Sequence, residues 1–425
     1  MNEPVLKRDV GMTGALLLGL GSILGTGVFV SLGLGAGLAG DRTLLALLAA
    51  ACLAAANGLA SARLAAKIPT SGGTYEFATR LLHPTVGFVA GWAFLSAKGA
   101  SAAVAGMGIA GYVLHPLGID DPVLRGGLAA AIVLVLTALA ASGLKRSNRV
   151  NATMVGVTIL SLGGLVLFGA VRGEPAAVPA AGAPDLDDFL RATALLFVAF
   201  TGYGRVATLG EEIRDPARSI PRAVVITVAT SLMIYLGVAW IALRTLGADR
   251  FGALVSETAA PLETVATTLG MSGWVPVLAL GAFTAMVGVL LNLLLGLSRV
   301  VLAMARRGDL PPALQVLDTA GTSPRRAVWA VGIVVAAVAA SGRSEVAWSF
   351  SALTVTLYYA ITQLAGWRLA RGPSDHVVSA LGSAGCLLLS FSIPAPWWIA
   401  AGAGFGLGFA LRFTSRRLPR GNPDR

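Results

Sequence analysis

Two apolar stretches of this chain are interrupted by glycine: Gly21-Ser22-Ile23-Leu24-Gly25-Thr26-Gly27-Val28-Phe29 and Phe200-Thr201-Gly202-Tyr203-Gly204-Arg205. Each lies in a stretch long enough to cross a bilayer. Glycine at this density lets a helix unwind at mid-depth, which leaves backbone N–H and C=O groups without partners. In hydrocarbon such groups are costly unless something binds them. The outer half of a broken helix presents free N–H groups and the positive end of its dipole, and a carboxylate fits there. In the first stretch the donors are the N–H groups of Gly25, Thr26 and Gly27, with the Thr26 hydroxyl as helper and Ser22 and Ile23 alongside. In the second, the unwound carbonyls of Phe200 and Thr201, beside Gly202, accept from an ammonium. A zwitterion satisfies both polarities at once. The competing explanation is close helix packing, which small residues also permit. Paired breaks in the two halves of a chain favour a binding site.

Lys98 is the second chemical feature. It lies about twelve residues into an apolar stretch, roughly 18 Å of helix from the nearer end. A lysine stem cannot reach water over that distance, and an ionisable group so deep marks function by default. Lysine can load and release a proton. The rival role is structural, donation to the free carbonyls of a broken helix. The two merge if the proton sets the helix's shape. Arg205 follows the second break. It either contacts an anionic group and closes the inner half of the site, or reaches polar surroundings and pairs with Glu76, Glu211 or Glu212. Glu211, Glu212 and Asp215 mix with Arg214, Arg218 and Arg222. They read equally as ion pairs of an inner gate and as a solvated loop of mixed charge.

The elements that must hold these residues are apolar helices. Of the 425 residues, 56% are hydrophobic and 12% charged, with a mean hydropathy of +0.77; soluble domains average about 25% charged. Most of the length therefore avoids water. The length criterion gives about twelve spans, over 11–33, 43–62, 86–114, 123–142, 149–171, 189–209, 221–244, 273–304, 327–341, 346–368, 376–393 and 397–412. The first is too long for the apolar region of a signal peptide. Cys52 and Cys386 fall inside spans and read as small buried hydrophobes, not as a disulfide.

The net charge of +11 follows from orientation and needs no nucleic acid. With a cytoplasmic N-terminus, inner loops collect Lys7, Arg8, Lys67, Arg80, Lys145, Arg146, Arg222, Arg306 and Arg307 among others, roughly three times the outer count. An even number of spans then places both termini in the cytoplasm. Outer loops are acidic (Asp120, Asp121, Glu174, Asp185, Asp187, Asp188). Trp240, Trp274, Trp348, Trp397 and Trp398 mark outer ends, and Trp329 and Trp367 inner ends, as interfacial belts do.

The first ten spans divide into five and five, each set opening with a glycine break. Five is odd, so the second set enters from the opposite side, which makes an inverted repeat. The expected organisation is a cytoplasmic tail over 1–10, a first repeat over 11–171 and a second over 189–370. Two peripheral helices follow over 376–412, then a basic tail over 413–425. The expected fold class is an all-α integral membrane protein.

Several motifs carry a resemblance. They are Gly21–Phe29, Pro69-Thr70-Ser71-Gly72-Gly73-Thr74-Tyr75, Gly91-Trp92 and Glu211-Glu212-Ile213-Arg214-Asp215-Pro216 with Ile220-Pro221-Arg222-Ala223. Ser298-Arg299-Val300, Met304-Ala305-Arg306 and Tyr358-Tyr359 complete the set. In order and spacing, from about residue 10 to 370, the chain resembles the amino acid–polyamine–organocation permeases. The resemblance implies the LeuT-like five-plus-five inverted repeat, alternating access, and amino acids or related amines as substrates, with the two breaks lining the site. Departures concern coupling. Where proton-coupled relatives carry a lysine in the fifth span, this chain has Thr158. Where sodium-coupled relatives place paired hydroxyls in the eighth span, Met286–Asn292 offers none, and Thr284 and Ser298 lie well apart. Both departures raise the standing of Lys98. The position that carries an aromatic gate in some exchangers is Val198, which implies an apolar pocket for the substrate side chain.

These readings point to a secondary active transporter of a neutral or hydrophobic amino acid, coupled to protons, in the plasma membrane, with no cofactor or metal. An uncoupled exchanger or facilitator is the alternative. An intramembrane enzyme fits less well, because His83, His115 and His376 lie at loop edges with no metal-binding or nucleophilic spacing. A channel needs a polar lining repeated over several spans, and polar residues here are too sparse.

Overall fold

The computed structural model describes residues 11–68, 72–119, 121–142, 148–172, 184–205, 213, 215–258, 260–317 and 324–417. Glu211 and Glu212 lie outside the described residues. Apolar chain that water does not reach must satisfy its backbone internally, and the α-helix does so within one segment. Helices accordingly succeed one another: α1 (Met12–Ile23), α2 (Leu32–Ala39), α3 (Thr43–Lys67), α4 (Thr74–Leu81), α5 (Pro84–Leu114), α6 (Pro122–Ala141), α7 (Asn148–Arg172) and α8 (Leu186–Phe200). After these come α9 (Pro216–Leu246), α10 (Ala248–Glu257), α11 (Pro261–Thr268), α12 (Val275–Arg306), α13 (Arg325–Ala339), α14 (Ser344–Leu369), α15 (Pro373–Phe391) and α16 (Ala395–Arg417). Local chemistry starts several of them. The carboxylates of Asp121 and Asp185 accept the N–H groups of Val123 and Asp188 at 2.8 Å, and proline opens α5 and α6 where its missing N–H costs nothing.

Seven helical stretches among the described residues are long and apolar enough to cross a membrane. One of them, Met12–Lys67, has 56 residues, far more than one crossing uses. A tight turn at Gly40–Arg42, where Gly40 has φ 52°, folds it back on itself. The chain is a multi-pass, all-helical membrane protein.

The helix α5 runs through the centre and packs on α12, α14, α6 and α4. Around it, α3 packs on α9, α8 and α14; α6 on α13; α7 on α12; and α1 on α9. The last two helices are more firmly tied than plain apolar sequence suggests. α15 lies along α14, and a buried polar chain joins them to α3: Gln363 donates to Asn57 (3.1 Å), which donates to the Cys386 sulfur (3.3 Å). α16 is anchored by Trp92, whose indole N–H donates to the Gly404 carbonyl at 2.9 Å. Its Arg412 and Arg416 both meet Asp309 (2.8 and 3.0 Å), which also accepts from Tyr75 (2.9 Å). Asp309 is only 3% exposed, so this is an ion pair withdrawn from solvent, where losing one partner is costly.

One expectation fails. Cys386 is buried, but Cys52 lies on the exposed surface of the bundle. A small apolar side chain gains nothing by facing inward when the surroundings are hydrocarbon.

Candidate functional site

The first break is short and its position is set by packing. α1 ends at Ile23; Leu24 turns off the helical path (ψ 87°). The Gly25 carbonyl then takes the N–H groups of Val28 (3.1 Å) and Phe29 (3.2 Å), and the chain resumes as one wide π-helical turn over Gly27–Ser31 before α2. The unwound part is therefore Leu24–Gly25, with Thr26 back in helical conformation. Gly21, about one turn earlier in the same motif, serves close packing instead: a Cβ there would stand 2.9 Å from the Asn151 side-chain oxygen.

The second break follows α8. Thr201–Tyr203 form a single 3₁₀ turn. The Thr201 hydroxyl donates to the Val198 carbonyl at 2.6 Å, and the Thr201 carbonyl accepts from Tyr359 at 3.3 Å. Lys98 arrives from α5, and its ammonium donates to the Thr201 hydroxyl at 2.5 Å. Lys98 is 6% exposed, and no ion pair joins it to a carboxylate among the described residues.

The two breaks touch. A Cβ built on Gly202 would run into the Ser22 carbonyl, so the second break can lie against the first only because this residue has no side chain. Tyr235 of α9 staples them: its hydroxyl donates to the Ile23 carbonyl at 2.8 Å and lies 3.3 Å from the Ala199 carbonyl. Gly27 makes the room, since a Cβ there would collide with that hydroxyl.

A cavity opens beside this junction. Ser22, Ile23 and Thr26 line it from the first break, Val198, Thr201 and Gly202 from the second, Lys98 and Ser101 from α5, and Val289, Asn292 and Leu293 from α12. Arg205 and Arg299 line it too, and no aspartate or glutamate does among the described residues. The structure thus brings Ser22, Ile23, Thr26, Val198, Thr201, Gly202, Lys98 and Arg205 together. Gly25, Gly27 and Phe200 stand behind the lining. Gly25 packs on Val289 of α12, and Phe200 rests its ring on Tyr235 with centroids 5.1 Å apart. Glu76 belongs to Arg307, which grips both its oxygens at 2.8 and 2.6 Å, and to Arg80 at 3.3 Å. Thr158 donates to the Met154 carbonyl at 2.9 Å and lies 3.4 Å from the Gly281 carbonyl of α12.

Sequence reasoning missed Tyr235, Tyr359 and Asn292, whose amide donates to the Ser22 hydroxyl at 3.4 Å. The signal was present: each is a polar side chain in a long apolar stretch, as Lys98 is. Tyr235→Phe should leave the Ile23 carbonyl unpaired in a dry interior and cost about 1–2 kcal/mol. A lowered thermal midpoint in detergent, with substrate giving less protection than in wild type, checks this.

Comparison with known proteins agrees with the geometry. The sequence profile of the family "Amino acid permease" matches residues 14–370. An uncharacterized transporter of Mycobacterium tuberculosis is 37% identical over 98% of this chain and 93% of its own length. A branched-chain amino acid permease of Bacillus subtilis is 30% identical over 79% of this chain and 75% of its own. A methylthioribose transporter of the same organism is 25% identical over 79% and 75%. With two broken helices meeting over one cavity and a family match that spans both, this chain belongs to the amino acid permease family of the amino acid–polyamine–organocation superfamily and is a membrane transporter, not an enzyme.

Proposed function

We propose that the chain carries a neutral, apolar amino acid across the plasma membrane by alternating access, coupled to protons through Lys98. The observation that carries this reading is the contact of Gly202 with the Ser22 carbonyl beside a cavity into which Lys98 reaches. There the substrate carboxylate meets the N–H groups at Gly25–Gly27 and the Thr26 hydroxyl. Its ammonium meets the carbonyls about Phe200 and Thr201, and its side chain lies toward Val198, Val289 and Leu293. A cavity without a lining carboxylate disfavours a cationic side chain. The name of the Bacillus subtilis branched-chain permease points the same way.

The five-plus-five repeat is supported by packing that survives exchange of the halves. α3, α5 and α6 each pack on their counterparts α9, α12 and α13. The contact of α5 with α14 mirrors that of α12 with α7, and α3 with α8 mirrors α9 with α1. Counting Met12–Lys67 as two crossings and adding α8, α13, α14 and α16 to the apolar stretches gives twelve, with both termini cytoplasmic. Arg205, which lines the cavity, is assigned with Glu211 and Glu212 to the inner gate.

Lys98 couples the proton to the break it touches. As an ammonium it donates to the Thr201 hydroxyl and holds that turn; once neutral it can accept instead, and the turn is free to rearrange. The eighth-span segment Met286–Asn292 has no hydroxyl pair for sodium. Thr158, engaged with backbone carbonyls of α7 and α12, favours uncoupled exchange as the second reading. Uptake of leucine, isoleucine and valine into proteoliposomes separates the two. An acidic exterior should drive accumulation with or without sodium. Sodium dependence, or equilibration without accumulation, would count against the coupling.

A further inference from the structure

We infer that Glu263 is a proton-binding site of the outer gate: with its carboxyl protonated, α11 docks on the first broken helix, and with the carboxyl ionised it lifts away. This rests on the reading above for which side of the membrane α11 faces. α11 is a short helix between α9 and α12, packed on both, on α10, on the turn Ser272–Trp274 and on the π-helical turn Gly27–Ser31. That last contact matters, because the π-helical turn is the outer continuation of the substrate-binding break.

Glu263 faces this interface and is 2% exposed. Its Oε1 is buried with no hydrogen-bond partner, and the buried Tyr112 hydroxyl of α5 has the Leu262 backbone beside it. Tyr112 is within electrostatic reach of Glu263 and packs its ring edge-on against Phe29 of the π-helical turn, centroids 5.6 Å apart. A carboxyl oxygen without a partner and a phenol are thus sealed at one joint. A protonated carboxyl has a hydrogen to give and a phenol oxygen can take it, whereas among the described residues no ion pair offsets the burial of a carboxylate here.

The other charged groups on the surrounding elements include Lys98 of α5, which donates to Thr201, and His115, which follows α5 about one turn beyond Tyr112. On α10, Arg250 pairs with Glu257 at 2.8 Å, both about half exposed; Asp249 is exposed. On α9, Arg244 lies over the Trp240 ring at 4.8 Å. The π-helical turn and Ser272–Trp274 carry no ionisable residue, and α12 carries none before Arg299. Burial alone pushes the Glu263 carboxyl up from 4.5 to about 7.

The sign follows. Docked, the carboxyl holds its proton to about pH 7; undocked and hydrated, it gives it up near its ordinary value. Docking therefore takes up a proton between those limits and weakens as pH rises through that window, by up to about tenfold per pH unit for one linked proton. Above about pH 7 the dependence levels off. An acidic exterior would thus close the outer gate over a loaded site.

Hydrogen–deuterium exchange of the 262–268 amides tests this on the full chain in nanodiscs, corrected for intrinsic exchange, from pH 5 to 8. Wild-type protection should fall between pH 5 and 7 and then flatten. Glu263→Gln should stay protected throughout, at the level of wild type at pH 5. A flat wild-type profile, or a Gln variant that keeps the slope, overturns the proposal. The readout is local and needs no transport, so it stands apart from any failure of the uptake assay.

Discussion

Gly202→Leu will abolish substrate binding while the bundle still assembles. The Cβ alone would occupy the place of the Ser22 carbonyl, which is backbone and cannot swing aside. The chain must then push the two breaks apart, and overpacking of this kind costs about 1–3 kcal/mol before any substrate is considered. Binding suffers more than stability does, because a displacement that relieves the clash separates the groups that a zwitterion has to bridge. Thermal protection by leucine, measured on purified protein, should vanish in this variant. Gly99→Ala is the control: it adjoins Lys98, yet a Cβ there meets nothing within 4 Å, and substrate protection should be unchanged. Equal protection in Gly202→Leu and wild type would mean the substrate sits elsewhere.

The second large effect belongs to Lys98→Met. Methionine keeps the length and apolar stem and removes the donor to Thr201. A symporter of one proton concentrates its substrate up to about tenfold per unit of pH gradient, since one unit is worth about 1.4 kcal/mol. Wild type should approach that ratio in proteoliposomes, and the variant should only equilibrate. Substrate-protected melting of the variant shows whether the site still forms. Accumulation like that of wild type would remove Lys98 from the coupling step. The variant should also be tested for exchange of internal against external substrate. Exchange that persists without gradient-driven accumulation is the signature of a carrier that has lost only its proton.

Much of this was readable from the sequence, and the reasons are physical. Hydrocarbon filters composition so strongly that helices announce themselves by length and hydropathy. A charged residue such as Lys98, far from any water, has few roles open to it. The glycines were harder. Gly21, Gly25, Gly27 and Gly202 look alike in sequence but do four different things: Gly21 admits Asn151, Gly25 admits Val289, Gly27 admits the Tyr235 hydroxyl and Gly202 admits a backbone carbonyl. Which glycine breaks a helix and which only permits a close approach is decided by the neighbouring helix, and no local pattern encodes it. The same holds for Tyr235, which meets Ile23 across 212 positions of sequence. Asp309 and Arg412 are likewise joined only by the fold. Ion pairs between distant residues are equally hidden: Glu76, one of three carboxylates weighed for Arg205, is gripped by Arg307, because α4 lies against the end of α12 and Arg307 presents both donors of its fork to one carboxylate.

The claim on which the rest stands is that one small zwitterion spans both unwound segments. The most direct measurement is a density map of the protein in nanodiscs with saturating leucine. The account predicts ligand density between Thr26 and Thr201, its carboxylate toward the Gly25–Gly27 turn and its side chain toward Val198. Leucine bound at another place, or both segments drawn as unbroken helices with no space between them, would contradict it.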